Sequence, residues 1–182
     1  MPEIFLSVVI PVYNESSRIE KGILEITQYL KDQSYSSEII LIDDGSTDST
    51  FIQAQQALKN FPEKQIIKLQ INQGKGSAIK KGVQIATGED ILFTDIDLST
   101  PITELKNLFK SLEIYDLAIG VRRHKQAHIM KHQSYLREFL GACFTVLTGW
   151  LVTPGIADAT CGFKVFKAGA AKKIFSKNCI GF

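Results

Sequence analysis

The sequence predicts an α/β domain built on a mostly parallel sheet with helices on both faces. Two patterns carry that expectation. Short apolar runs recur along the chain without polar alternation, as strands do when both faces of their sheet are covered. Between them lie segments whose apolar residues repeat at helical spacing, and strands alternating with amphipathic helices form parallel sheets.

The first apolar run covers residues 7–10 and is closed by Pro11. Ser17 and Glu20 then have the spacing of a capping box, and Ile19, Ile23, Ile26 and Leu30 follow as one buried stripe. Residues 38–42 form the second run, which ends abruptly at Asp43-Asp44-Gly45-Ser46. A second helix turns Phe51, Ala54 and Leu58 inward and stops before Pro62. The third strand is expected over 66–71. Residues 72–76 then turn into a helix carrying Ile79, Val83 and Ala86, with Gly88 as its C-cap. Ile91-Leu92-Phe93 is the fourth strand and runs into Thr94-Asp95-Ile96-Asp97. Thr100 is placed to cap the next helix, with Pro101 at its first position, and residues 117–120 make a fifth strand.

Composition narrows the class. Hydrophobic residues make up 45% and charged residues 22%, which excludes a disordered tail, a collagen-like fibre and a disulfide-dense scaffold. The formal charge of +2 gives no reason to expect nucleic acid as a partner. Cys143, Cys161 and Cys179 form no CxxC pair, which fits a reducing compartment. The N-terminus has no basic region or cleavage site of a signal peptide. Residues 139–152 are uncharged but fall short of the roughly 20 residues a spanning helix needs. Leu140, Phe144, Leu147 and Leu151 fall there at helical spacing, as a core helix or as a ledge for a lipid tail. No repeat or linker divides the chain, so one domain over 1–182 is expected.

The polar residues collect where chemistry is expected. Tyr13-Asn14-Glu15, Asp43-Asp44, Asp95 with Asp97, and Arg122-Arg123 each follow an apolar run, and the carboxyl ends of the strands are where open α/β sheets bind ligands. One such aspartate would read as a helix cap or turn residue; four clusters at four strand ends read as a site. Asp95 and Asp97 straddle an apolar residue, so their carboxylates can converge on a hard cation. Mg²⁺ or Mn²⁺ is commonly held by one or two carboxylates with phosphates completing the shell. Asp43 or Asp44 can accept from a base N–H or a ribose hydroxyl, and Tyr13 offers a face for stacking. Lys75, on a Gly-flanked turn into a helix, is placed for an anion, although the spacing is not that of a P-loop.

These motifs resemble a known family. Ser7-Val8-Val9-Ile10-Pro11-Val12-Tyr13-Asn14-Glu15, Ile42-Asp43-Asp44-Gly45-Ser46-Thr47-Asp48, Asn72-Gln73-Gly74-Lys75-Gly76 and Asp95-Ile96-Asp97 are similar to family-2 glycosyltransferases of the GT-A fold. Asp158-Ala159-Thr160-Cys161-Gly162-Phe163-Lys164-Val165-Phe166 narrows the resemblance to the polyprenyl-phosphate group, especially dolichyl-phosphate β-glucosyltransferases. The resemblance implies inverting transfer from a nucleotide-diphospho-sugar, UDP-glucose above all, to a lipid phosphate. Pro11, Tyr13, Glu15, Asp43 and Asp44 match its nucleotide pocket. Asp95 and Asp97 match its DxD motif, with Asp97 the closer metal ligand. Arg122 and Arg137 match arginines that hold acceptor phosphate, and Asp158 resembles an acceptor-side acid. It also implies a place at the cytoplasmic face of a membrane, in peripheral contact with its surface. Many relatives carry a transmembrane segment and continue past the point matching Gly181-Phe182, which points to a catalytic domain cut short at its C-terminus.

His124, His128 and His132 fall at i, i+4 and i+8, as a metal site or, with no carboxylate or cysteine nearby, as part of a basic loop over 122–132. Three rivals to lipid-phosphate transfer remain. Transfer to a saccharide hydroxyl would keep the same donor site. A haloacid-dehalogenase-type phosphatase would use Asp95 as nucleophile and Asp97 as acid/base, but leaves Tyr13 and Asp43-Asp44 unexplained. The third is a sugar-nucleotide-binding domain without turnover.

Overall fold

β1 (Leu6–Val12) runs through the middle of a sheet that has six strands among the described residues. The structure is a computed structural model that describes residues 3–121 and 161–176. The other strands are β2 (Ser37–Asp43), β3 (Lys64–Lys68), β4 (Asp90–Phe93), β5 (Leu117–Ile119) and β6 (Lys164–Lys167), in the order β3-β2-β1-β4-β6-β5. β1 pairs in parallel with β2 and β4, and β2 in parallel with β3. β6 enters antiparallel between β4 and β5. The chain thus steps outward from β1 to β3, then returns to β4 on the opposite side of β1. That reversal opens a crevice beyond the carboxyl ends of β1 and β4.

Both faces of the sheet are covered, as the unbroken apolar runs require. Leu6, Val8, Ile10 and Val12 of β1 pack with α1 (Ile19–Lys31), α2 (Thr50–Ala57) and α4 (Leu105–Leu112). Val9, on the opposite face, packs with α3 (Lys75–Ile85) and α5 (Ala168–Ser176). The period of two along β1 assigns each neighbour to one helical layer. The α1 stripe is the expected one: Ile19, Ile23, Ile26 and Leu30 are all buried.

Several local expectations are corrected, each for a tertiary reason. β3 spans 64–68 rather than 66–71, because its register with β2 ends at Lys68 opposite Asp43, where β2 turns away. The Ser17–Glu20 capping box does not close: Arg18 is the N-cap residue and no side chain among the described residues caps the helix. The neighbouring loop takes over instead, with Glu15 N–H donating to Thr50 Oγ1 at 2.8 Å and Ser16 N–H to Asp48 Oδ2 at 3.2 Å. Thr100 does not cap a helix either. Pro101 precedes a 3₁₀ turn over Ile102–Glu104, which leads into α4. α3 ends at Ile85 with Ala86 as its C-cap, and the Gly88 N–H donates to Ser7 Oγ at 2.8 Å. β6 is too short, and too polar at both ends, for periodicity to reveal it; pairing with β4 and β5 creates it.

A buried polar network locks the end of the sheet opposite the crevice. Glu38 Oε1 accepts from Ser7 Oγ at 2.6 Å, Thr87 N–H at 2.7 Å and Thr87 Oγ1 at 2.8 Å. It therefore ties β1, β2 and the α3–β4 connection at one point. Glu38→Ala strands these donors in the interior and is expected to cost about 3 kcal/mol of stability, read from the shift in a urea unfolding midpoint. A second variant, Glu38→Gln, retains an acceptor and should recover part of that loss.

Candidate active site

The loops after β1, β2, β3 and β4 meet at the crevice, and contacts between them hold each in place. The loop after β1 is stitched to the loop after β2 through Asn14, by both its backbone and its side chain. Asn14 N–H donates to Ser46 Oγ at 2.9 Å, and Asn14 Oδ1 accepts from Thr47 N–H at 2.9 Å. Asn14 has φ 52°, a left-handed conformation that asparagine tolerates better than most residues. Asp48 accepts from Thr50 Oγ1 at 2.5 Å and from the Thr50 and Ser16 amides. Those bonds, the Thr50 hydroxyl first, hold its carboxyl well below the usual carboxylate range. Tyr13 lies beside this stitching and is 44% exposed. Pro11 sits past Val9–Phe93, the last register pair with β4, where a missing N–H costs no rung on that side.

Asp43 and Asp44 are both buried but differ in their contacts. Asp44 Oδ1 accepts from Gln73 N–H at 2.9 Å and Oδ2 from Gly74 N–H at 2.8 Å. Asp44 is thus a clamp on the turn into α3. Asp43 Oδ1 accepts from Ser46 N–H at 2.8 Å. Its Oδ2 is buried without a hydrogen bond among the described residues, and Lys68 Nζ lies 3.8 Å away. Lys68 in turn stands 5.6 Å from the centroid of Phe51. Asp43 therefore keeps one acceptor atom uncommitted beneath a cation.

The clamp at Gly74 places Lys75 at the start of α3, and its Nζ reaches Asp95 Oδ1 at 2.5 Å. Asp95 and Asp97 flank Ile96, which is buried in the layer shared with α1. Gly22 of α1 makes that burial possible: a Cβ there would overlap the Ile96 carbonyl oxygen. With Ile96 tucked beneath the helix, the two carboxylates on either side are left partly exposed at the crevice. Asp97 Oδ1 accepts from Ser99 N–H at 3.0 Å and Ser99 Oγ at 2.9 Å, while Oδ2 faces Arg18 at 3.8 Å. Leu98, next along, has φ 49°. For a leucine that is a strained geometry costing about 1–3 kcal/mol, of the kind that clusters at functional loops.

Behind Asp95 stands Gly162, at the approach to β6. A Cβ on Gly162 would overlap the Asp95 carboxylate, so only glycine leaves room for it. The donor chemistry fits a hard divalent cation: two partly exposed carboxylates at a strand end, each already facing a cationic side chain. Among the described residues no three His, Cys, Asp or Glu side chains are grouped to hold a metal, and a magnesium-type site draws its remaining ligands from phosphates and water.

The structure thus brings Glu15, Asp43, Asp44, Lys75, Asp95 and Asp97 into one chain of contacts, with Pro11 and Tyr13 at its edge. Arg122, Arg137 and Asp158 lie outside the described residues, as do the histidine row and the apolar stretch 139–152. The sequence places Asn14 in a candidate cluster, and Asp48 and Gly162 in motifs, without giving them a task; Arg18, Thr50 and Gly22 gave no local signal.

A mostly parallel sheet with a strand-order reversal, and a paired-carboxylate loop at that reversal, define an open α/β class whose crevice lies at the carboxyl ends of its strands. Solved structures share that fold. A mannosyltransferase from Pyrobaculum calidifontis in complex with GDP-Man and Mn²⁺ superposes with a TM-score of 0.64 at 22% identity, over 93% of this chain and 46% of that one. Glucosyl-3-phosphoglycerate synthase from Mycobacterium tuberculosis, in complex with Mn²⁺, UDP-glucose and phosphoglyceric acid, gives 0.65 at 21% identity, over 91% and 57%. The chain belongs to glycosyl transferase family 2, whose model matches residues 7–175. It is 35% identical to dolichyl-phosphate β-glucosyltransferases of Dictyostelium discoideum and Homo sapiens, over 94% of this chain and 57% of each of theirs. The Saccharomyces cerevisiae enzyme of that name is 34% identical, over 95% and 58%. The chain therefore spans a little over half the length of these relatives. Membership in this family sets aside the phosphatase reading of Asp95.

Proposed function

We propose that this chain carries the donor-binding catalytic domain of an inverting glucosyltransferase, which moves glucose from UDP-glucose to a polyprenyl phosphate of the dolichyl type. The observation that carries the reading is the linkage of the crevice loops: Asp44 clamps the turn that aims Lys75 at Asp95, and Arg18 spans Glu15 and Asp97. The names of the relatives support the acceptor and the sugar. Among the described residues no helix is long and apolar enough to cross a membrane. We read the domain as working in peripheral contact with the cytoplasmic face of a membrane, where a lipid phosphate is presented.

Each residue then has a task. Tyr13 stacks on the base, and Asp43, with one uncommitted oxygen, accepts from a base N–H. Asp44 holds the turn that presents Lys75. Lys75 exchanges Asp95 for the donor's diphosphate, contributing positive charge where negative charge grows. Asp95 and Asp97 would hold Mg²⁺ or Mn²⁺, which when bound neutralises the charge developing on the departing diphosphate. A donor fixed at the sheet edge leaves the opposite face of the sugar open to attack, so inversion follows from positioning. Arg122 and Arg137 are assigned to the acceptor phosphate and Asp158 to the acceptor side.

The acceptor class can be decided with Asp158. A phosphate monoester carries about −1.5 to −2 charge near neutral pH, so its attack needs little proton removal. A sugar hydroxyl must lose its proton, and a positioned base is then worth about 10²- to 10⁴-fold. With UDP-glucose as donor, polyprenyl phosphate should be glucosylated and an oligosaccharide should not, and Asp158→Asn should lower kcat only modestly. Glucosylation of the oligosaccharide alone would assign the chain to hydroxyl transfer.

A further inference from the structure

Arg18 belongs to no motif of the donor site, yet it is the side chain that joins two of its loops. Its Nε and one terminal nitrogen both donate to the same Glu15 oxygen at 2.7 Å. That fork leaves the other terminal nitrogen facing Asp97 Oδ2 at 3.8 Å. The distance is too long for a hydrogen bond, and the two side chains are 54% and 36% exposed. The attraction is therefore electrostatic, weak and easily exchanged. The other Asp97 oxygen is committed to Ser99. Oδ2 is thus the oxygen through which Asp97 would bind a cation, and it is the one Arg18 faces. Glu15 keeps the guanidinium in place whether or not Asp97 is retained.

We propose that Arg18 is a positioning residue for the metal-binding pair: it is the resident counter-ion of Asp97, yields Oδ2 to a divalent cation, and then offers its freed nitrogen to the diphosphate sharing that cation. The proposal rests on the donor and metal reading above. Formal charge supports the exchange. Glu15, Asp95 and Asp97 face Lys75 and Arg18, so the five side chains together carry one net negative charge. A divalent cation alone would make that cluster positive. A cation arriving with a doubly negative nucleoside-diphosphate sugar leaves its charge unchanged. Arg18 therefore opposes the metal alone and favours metal and donor together.

This predicts effects of opposite sign. Mn²⁺ alone, followed by the paramagnetic resonance of the free ion, should bind Arg18→Gln about three- to tenfold tighter than wild type, the size expected for removing one charge near a divalent ion in a wet site. UDP at saturating Mn²⁺, followed by calorimetry, should bind the same variant several-fold more weakly. Arg18→Lys keeps the charge but loses the planar fork that spans Glu15 and Asp97. It should match wild type for Mn²⁺ alone and fall between the other two proteins for UDP. A purely structural role would weaken both affinities together. That result, or Mn²⁺ binding Arg18→Gln no more tightly than wild type, overturns the proposal and leaves the donor site standing. Absence of Mn²⁺ binding in the wild type, both alone and with UDP, would instead remove the metal assignment and this inference with it.

Discussion

Asp97→Asn is expected to lower the rate of glucosyl transfer by about 10²- to 10⁴-fold. The magnitude follows from the several kcal/mol that a metal contributes at a departing diphosphate, at 1.36 kcal/mol per tenfold. The loss should come with little change in fold, because Asp97 is partly exposed and, among the described residues, its short side-chain contacts are with Ser99. Asparagine keeps one oxygen for Ser99 while removing the charge that would attract a cation. Far-ultraviolet circular dichroism and the thermal midpoint should therefore stay close to wild type while turnover collapses. Turnover retained within about tenfold would mean that Asp97 is not where the metal is held.

Gly162→Ala should damage the same site from behind. The added methyl would overlap the Asp95 carboxylate, so either Asp95 rotates away or the approach to β6 shifts. Supporting groups around a metal typically change its affinity by about 10- to 100-fold, and a loss of that order in Mn²⁺-supported UDP binding is expected. Comparison with Asp95→Ala separates the cause. If the methyl acts through Asp95, the double variant Asp95→Ala, Gly162→Ala should bind UDP no worse than Asp95→Ala alone. Additive losses would show that Gly162 serves the site by another route.

The parts legible in the sequence were those with local causes. The apolar runs that became β1, β2 and β4 stand out because both their faces are buried. The carboxylates stand out because they interrupt apolar strands at their ends. The α1 stripe is a period of 3.6 written over four residues. What stayed hidden depends on partners brought close only by folding. Glu15 and Ser16 are satisfied by Thr50 and Asp48, more than thirty residues away, so a plausible local capping box was the wrong solution. Gly22 reads as a helical residue and Gly162 as part of a motif; only Ile96 and Asp95 lying against them explain the missing Cβ. Asp44 reads as a ligand-facing acid, yet both its oxygens hold the turn before Lys75. Arg18 gave no signal because its partners, Glu15 and Asp97, belong to two different strand ends.

Calorimetric titration of UDP into this chain, with Mn²⁺ and with excess EDTA, tests the convergence of the crevice loops on one metal-dependent donor site most directly. UDP should bind in Mn²⁺ and lose most of its affinity in EDTA, and Asp97→Ala should bind in Mn²⁺ as weakly as the wild type does in EDTA. Equal UDP affinity in wild type and Asp97→Ala, unaffected by EDTA, would contradict the assignment of Asp95 and Asp97 to a metal shared with the donor.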